Sequence, residues 1–252
     1  METVLYLYIF IVGTVIGSFL NCAIYRLPLK KSLVTPGSYC TSCNTPIKWY
    51  NNIPLFSWFI LRGKCASCSA SYSFRYPFVE FLFGILLLLI FKHFGGFTLD
   101  FFLYAIFCAS LTAIFFIDFD HQIIPDVINY PLLFVGLFTA WFVHNDFFDG
   151  LLGGLAGFTF FLLLVILTKG KGMGMGDVKM IAMLGTWFGL MGVFFLIMIS
   201  SVMGSVIGLI MMSFGKAGMK TALPFGTFMA VAGVLMIFFG DFLRETYILF
   251  YQ

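Results

Sequence analysis

Charge is what this chain of 252 residues has least of. Asp, Glu, Lys and Arg together make up 10%, against about a quarter in soluble globular proteins. That shortage excludes an ordinary water-soluble domain. Acid is absent altogether from Arg26 to Tyr76, although this stretch carries Arg26, Lys30, Lys31, Lys48, Arg62, Lys64 and Arg75. No basic segment precedes the first apolar run and more such runs follow, so Met1 to Leu20 reads as a retained first helix rather than a cleaved signal peptide. The glycine-rich stretch before residue 177 lacks the Gly-Lys-Ser/Thr ending of a phosphate loop, and no Rossmann glycine turn is present.

What fills the chain instead is apolar. Hydrophobic residues reach 61%, with 35 Phe and 13 Met, and the mean hydropathy is +1.04. Apolar runs cover Thr3–Tyr25, Pro77–Phe91, Leu99–Ile117, Val127–Val143, Phe148–Thr168, Val178–Met191, Val193–Phe214 and Ala222–Gly240. Runs of about 20 residues cross a hydrocarbon core of about 30 Å, and shorter ones need polar extensions or incomplete crossing. The expected fold is all-α: a polytopic membrane bundle of eight transmembrane helices with a small cytoplasmic insert. Residues 1–25 form the first span, 26–76 the insert and 77–252 the remaining membrane domain. The alternative is one bent helix through Gly189 and Gly192, which leaves seven spans; eight is preferred. With eight, and the N-terminus outside, Arg26–Tyr76, Asp118–Asp126, Lys169–Lys179 and Gly215–Thr221 lie inside. They hold 12 of the 14 Lys and Arg, all but Lys92 and Arg244, a clear positive-inside pattern.

Four cysteines stand in the insert as two Cys-x-x-Cys knuckles, Cys40/Cys43 and Cys65/Cys68. Tight knuckles let paired thiolates converge on a tetrahedral ion, and two pairs complete a closed, all-sulfur structural zinc shell. Disulfides or redox knuckles are the competing reading, disfavoured on a cytoplasmic face. Cys22 and Cys108 lie in apolar runs and read as small hydrophobes. With little apolar material of its own, the insert draws folding energy from the metal. Trp49, Tyr50, Trp58 and Phe59 among seven unopposed basic residues suit contact with anionic lipid headgroups. A nucleic-acid partner is not expected so close to a membrane.

Two aspartates border apolar runs, and a charge at membrane depth marks a functional site by default. Asp118 follows Ile114-Phe115-Phe116-Ile117. Asp177 ends Gly174-Met175-Gly176-Asp177, after four alternating glycines from Gly170. Among the rivals, Asp126 reads as a cap for the next helix and Asp120 lies nearer solvent. A helix cap is also the plain reading of Asp177. Taken together, two carboxylates sharing a proton can hydrolyse a peptide bond, one accepting a proton from water while the other donates to the carbonyl. Lys179 either orients groups near Asp177 or snorkels to the interface.

These motifs, with Gly17-Ser18-Phe19-Leu20-Asn21-Cys22-Ala23-Ile24-Tyr25-Arg26-Leu27-Pro28, Ser73-Phe74-Arg75-Tyr76-Pro77-Phe78-Val79-Glu80 and Leu223-Pro224-Phe225-Gly226, resemble the bacterial type IV prepilin peptidases, or prepilin leader peptidase/N-methyltransferases. The likeness runs over nearly the whole chain. It implies a Gly-x-Gly-Asp membrane aspartic peptidase with Asp118 and Asp177 as the catalytic pair and no metal needed for hydrolysis. The implied substrates are prepilins or pseudopilins, cut after the glycine of a short basic leader at the cytoplasmic face of the bacterial inner membrane. It further implies methylation of the new N-terminal amine by S-adenosylmethionine, a second activity tied to the insert and its flanks, where Arg75 and Glu80 are the candidate cofactor residues. Glu80 is read as steering the amine, binding the insert or pairing with Arg75. The family's proline after the first cysteine is replaced in Cys40-Thr-Ser-Cys43, with both metal pairs intact. A non-enzymatic assembly protein and a proton-relay transporter are the competing classes. The particular prepilin and the oligomeric state stay open.

Overall fold

A computed structural model describes residues 2–170, 172–214 and 223–250, with side chains to Leu249 in the last segment. Lys171, Lys216 and Lys220, three of the basic residues that orient the chain, lie outside the described residues. Regular structure among those described is helical: α1 (Glu2–Arg26), α2 (Phe56–Ile60), α3 (Arg75–His93), α4 (Leu99–His121), α5 (Asp126–Phe142), α6 (Phe147–Leu167), α7 (Met175–Ser213) and α8 (Phe225–Phe250). Six of them (α1, α3, α4, α6, α7 and α8) are long and apolar enough to cross a membrane. The all-α, membrane-spanning bundle is therefore present. The 17-residue α5 is about 25 Å long at 1.5 Å per residue, a little short of a hydrocarbon core.

The chain divides within α4 into two compact units, residues 1–113 and 114–252. In the first, α1 packs on α3 through small residues. A Cβ at Gly13 would lie 2.8 Å from Gly84 Cα, and one at Gly17 would lie 2.7 Å from Glu80 Cα. Close backbone approach of this kind holds helices together where lipid removes any hydrophobic drive between them. Asn21 Nδ2 donates to the Tyr76 carbonyl at 3.0 Å across the same seam. Arg26, buried at the end of α1, donates to the carbonyls of Ser32 and Gly37 at 3.0 and 2.9 Å. It thereby fastens the insert to the first span.

In the second unit, α6 presents Gly150, Gly153, Gly154 and Gly157 to the first half of α7, in antiparallel order. Gly150 meets Thr186, Gly153 meets Gly185 and Gly189, and Gly157 meets Ile181. At Gly189 the helix breaks, with φ 69 and ψ −173. This is a left-handed conformation that glycine alone adopts without strain. The break turns the chain back. Ile124 lies 3.4 Å from where a Cβ on Gly176 would be and 2.8 Å from one on Gly226, while a Cβ on Gly208, at the far end of α7, would lie 3.1 Å from Leu223. Both ends of α7 thus meet the start of α8. A straight helix of 39 residues would separate those ends by about 58 Å. Asp149 of α6 caps the second half, accepting from Leu190 N at 3.1 Å. It supplies the acceptor that a newly started helix needs. The eighth helix runs on to Phe250, past the expected end at Gly240. Its continuation is largely exposed around Asp241, Arg244 and Glu245, which an apolar window does not register.

Candidate active site and metal centre

Asp118 sits on the last full turn of α4, 4% exposed. Its Oδ2 accepts from the backbone N–H of Thr227 at 2.7 Å and from the Thr227 hydroxyl at 3.1 Å. Thr227 is in the first turn of α8, where backbone amides have no partner within the helix. Pro224, just before the first helical residue, suits that start. The close pass is possible because residue 226 is glycine: a Cβ there would meet Asp118 Oδ2 at 2.9 Å.

Asp177 lies in the first turn of α7, partly exposed. Its Oδ2 accepts from Gly174 N at 3.0 Å, half of a capping box. The helix-start bond expected of a capping Asp177 is thus present. Ile124 packs against both Gly176 and Gly226, and Gly226 packs against the Asp118 carboxylate, so Asp118 and Asp177 lie at the same end of the second unit.

Other expectations need correction. Asp126 does not cap α5; Pro125 holds the cap position and makes no side-chain capping bond. The Asp126 carboxylate instead takes Lys179 Nζ on both oxygens at 2.9 Å. Lys179 lies over the Tyr130 ring, 5.3 Å from its centre. That lysine therefore ties the starts of α5 and α7 together, and its ion pair is with Asp126 rather than Asp177. Asp120 is exposed, as expected. Thr227 was missed. Its only sequence signal is Pro224-Phe225-Gly226-Thr227, a proline-marked helix start that can serve a distant carboxylate.

The four insert cysteines converge, with their sulfurs all within 4.8 Å of one another and Cys40 to Cys68 at 3.8 Å. A tetrahedral ion with sulfur at 2.3 Å has edges of about 3.8 Å, so the donor set fits a single metal. The knuckles share one turn. Cys40 N bonds Thr45 O and Asn44 N bonds Cys40 O, just as Cys65 N bonds Ala70 O and Ser69 N bonds Cys65 O. Short bridges Tyr39–Pro46 and Lys64–Ser71 close them, and Asn44 and Ser69 both take positive φ. In each turn amides aim at sulfur. The Tyr72 hydroxyl, then the amides of Cys43 and Ser42, bring the Cys40 thiol down to about 5. The amides of Cys68 and Ser67 lower Cys65. Cys68 receives the Ala70 amide, but crowding by Cys43, burial and the other sulfurs push it up to about 12. Burial and the adjoining Cys40 and Cys65 raise Tyr72. Tyr72 therefore serves the sulfurs from outside the ligand set; no spacing rule points to it.

The first unit also holds a cavity of about 150 Å³ lined by Ser18, Asn21, Trp58, Tyr72, Tyr76 and Glu80, among others. Glu80, buried on α3, accepts from Leu55 N at 2.7 Å and from the Ser18 hydroxyl. Of the readings of Glu80, contact with the insert is present. Arg75 is not among the lining residues; its amide bonds Ser73 Oγ at 3.2 Å.

A helical membrane protein with paired carboxylates at one end and a four-thiol metal clasp belongs to a narrow class. Residues 11–94 match the family model described as the bacterial peptidase A24 N-terminal domain, and residues 105–209 match the type IV leader peptidase family. The chain is 35% identical over 268 residues to the prepilin leader peptidase/N-methyltransferases of Stutzerimonas stutzeri and Pseudomonas aeruginosa, covering 95% of this chain and 92% of each relative. It is 35% identical over 272 residues to the one from Legionella pneumophila, covering 97% and 94%. No solved structure matches it. The chain belongs to the type IV leader peptidase family.

Proposed function

We propose that this protein is a membrane aspartic peptidase that removes the basic leader of prepilins or pseudopilins after glycine, and then methylates the new N-terminal amine. The observation that supports the peptidase reading is the placement of Asp118 and of the Asp177 turn around Ile124 and Gly226, at one end of the second unit. One carboxylate accepts a proton from water as the water oxygen attacks the scissile carbonyl. The other carboxyl donates to the carbonyl oxygen; the adduct then collapses as the first carboxyl gives its proton to the amide nitrogen and the second takes one back from the hydroxyl, so the C–N bond breaks and the new amine leaves. Thr227 holds Asp118 in place, and the Gly174 amide holds Asp177. Hydrolysis on this scheme uses no metal.

Zinc is the ion that the all-thiolate, closed clasp of Cys40, Cys43, Cys65 and Cys68 suits best, in a structural role. The relatives' name supports methyl transfer, with S-adenosylmethionine as donor of the methyl group. In this chain the cavity beside the insert supports it: Glu80 offers a buried carboxylate to a cationic group and the rings of Trp58, Tyr72 and Tyr76 offer apolar walls. Arg75 remains a candidate at the rim of that segment. The reversal at Gly189 supports counting α7 as two crossings; with α5 this makes eight. The basic residues then support a cytoplasmic location for the insert and for the ends of α4 and α7 that carry the aspartates, in a bacterial inner membrane.

The test is mass spectrometry of a model prepilin incubated with the purified protein, with and without S-adenosylmethionine. A cut after glycine is expected without donor, and a gain of about 14 Da, one CH₂, is expected with it, since group-transfer chemistry is the donor's own. An intact substrate would sink the peptidase reading; a cut product without the gain would sink methyl transfer alone.

A further inference from the structure

The first turns of α5 carry a polar group that the fold leaves unused. Asn129 is 0% exposed, and among the described residues neither its Nδ2 nor its Oδ1 has a hydrogen-bond partner. Its neighbours on the helix are well served. One turn before it, Asp126 takes Lys179 at 2.9 Å. One turn after it, the Leu132 carbonyl takes Trp187 Nε1 at 2.9 Å and the Leu133 carbonyl takes Thr186 Oγ1 at 3.3 Å. Asn129 therefore lies between two turns that each pair with α7. An amide buried without partners is destabilising, whereas an apolar side chain of similar shape in its place is nearly neutral or stabilising. A sequence so rich in leucine had an easy replacement.

The position bears on the proposed chemistry. Asn129 N bonds the Pro125 carbonyl, so the residue lies in the first turn of α5, about 5 Å along the helix from its start. Asp118 lies about as far from the end of α4, and only the short link 122–125 separates the two helices. Lys179, held by Asp126 one turn before Asn129, is two residues past Asp177, so this turn of α5 lies beside the turn that carries Asp177. The turn is also less firmly closed than an ordinary helix start. Pro131 is inside α5, so the Val127 carbonyl lacks its usual donor four residues on, and Pro125 brackets the other side.

We propose that Asn129 is a substrate-positioning residue: its carboxamide pairs with a main-chain peptide group of the extended substrate beside the scissile bond. One donor and one acceptor in a plane match the N–H and C=O of an extended strand, independent of side chains. This rests on the peptidase reading above. If wild-type protein fails to cut a model prepilin, that reading fails; the proposal on Asn129 is decided by variants in a protein that does cut.

The experiment compares Asn129→Leu, Asn129→Ala and Asn129→Ser in full-length protein, measuring thermal midpoint together with kcat and KM for leader removal. Asn129→Leu is expected to melt at or above the wild-type temperature and to lose about tenfold or more in kcat/KM. Asn129→Ser is expected to keep severalfold more activity than Asn129→Ala, which differs from it by one hydroxyl. Wild-type kcat/KM in the Leu variant would overturn the proposal. So would a Leu variant that melts well below wild type, because the amide would then be paired within the fold. Should the Leu variant not fold, equal activity of the Ser and Ala variants overturns it.

Discussion

The backbone N–H of Thr227 reaches Asp118 Oδ2 at 2.7 Å across 109 positions of sequence. One carboxylate at the end of α4 thus closes the first turn of α8, and the same bond fixes where that carboxylate points. Thr227→Val keeps the amide and removes the hydroxyl contact at 3.1 Å. A single neutral donor is worth about 1 kcal/mol, so kcat/KM for leader removal is expected to fall severalfold. Kinetics on a fluorogenic leader peptide check this; an unchanged value would show that the amide alone positions Asp118.

Asp118→Asn and Asp177→Asn are each expected to lower cleavage on the order of a thousandfold or more while leaving the fold intact, since losing either member disables the pair as a unit. Asp120→Asn, at an exposed position, should stay near wild type. Product mass spectrometry with circular dichroism of each variant provides the check, and near-normal turnover by either folded pair variant removes that residue from the mechanism.

The clasp should hold about one zinc per chain. Cys40→Ser or Cys65→Ser should lose metal and loosen the insert, whereas Cys108→Ser, buried in α4, should keep full metal content. Binding falls as pH falls, because thiolates must stay deprotonated to ligate. Plasma emission on dialysed samples measures all three, and full occupancy in the four-cysteine variant refutes the site.

Gly189→Ala places a Cβ on the Asp149 carboxylate in a backbone conformation closed to alanine at low cost. Folded yield in detergent should collapse. Asp149→Ala removes the clashing carboxylate and also the Leu190 cap, so the double variant should recover only part of the yield. Normal yield for Gly189→Ala would mean that the turn tolerates another geometry.

Much of this molecule is legible in order of appearance. Apolar runs are long and helices in lipid must satisfy their own backbone, so the span positions follow from composition. The cysteines announce themselves because their spacing is local. What is not legible is pairing at a distance. Nothing around Asp126 says that it will meet Lys179 rather than cap α5, because its carboxylate has a choice of donors and only the packing of α5 on α7 decides. Nor does Gly189 alone separate a bent helix from a reversed one; the difference lies in where Gly208 and Leu223 meet. Tyr72 and Thr227 act through other residues, and such supporting groups leave no spacing signature.

The turn at Gly189 has one more effect, on the field around the carboxylates. By folding α7 back, it leaves the N-terminal turn of α7 beside that of α8, and each such turn carries about half a positive charge. Asp177 lies on the first of these turns and Asp118 is bonded to the second. The counter-charge for two acids at a membrane edge is therefore main chain, built from peptide dipoles. No mutation of a surface lysine removes it, and the salt that screens exposed ion pairs reaches the buried Asp118 contact far less.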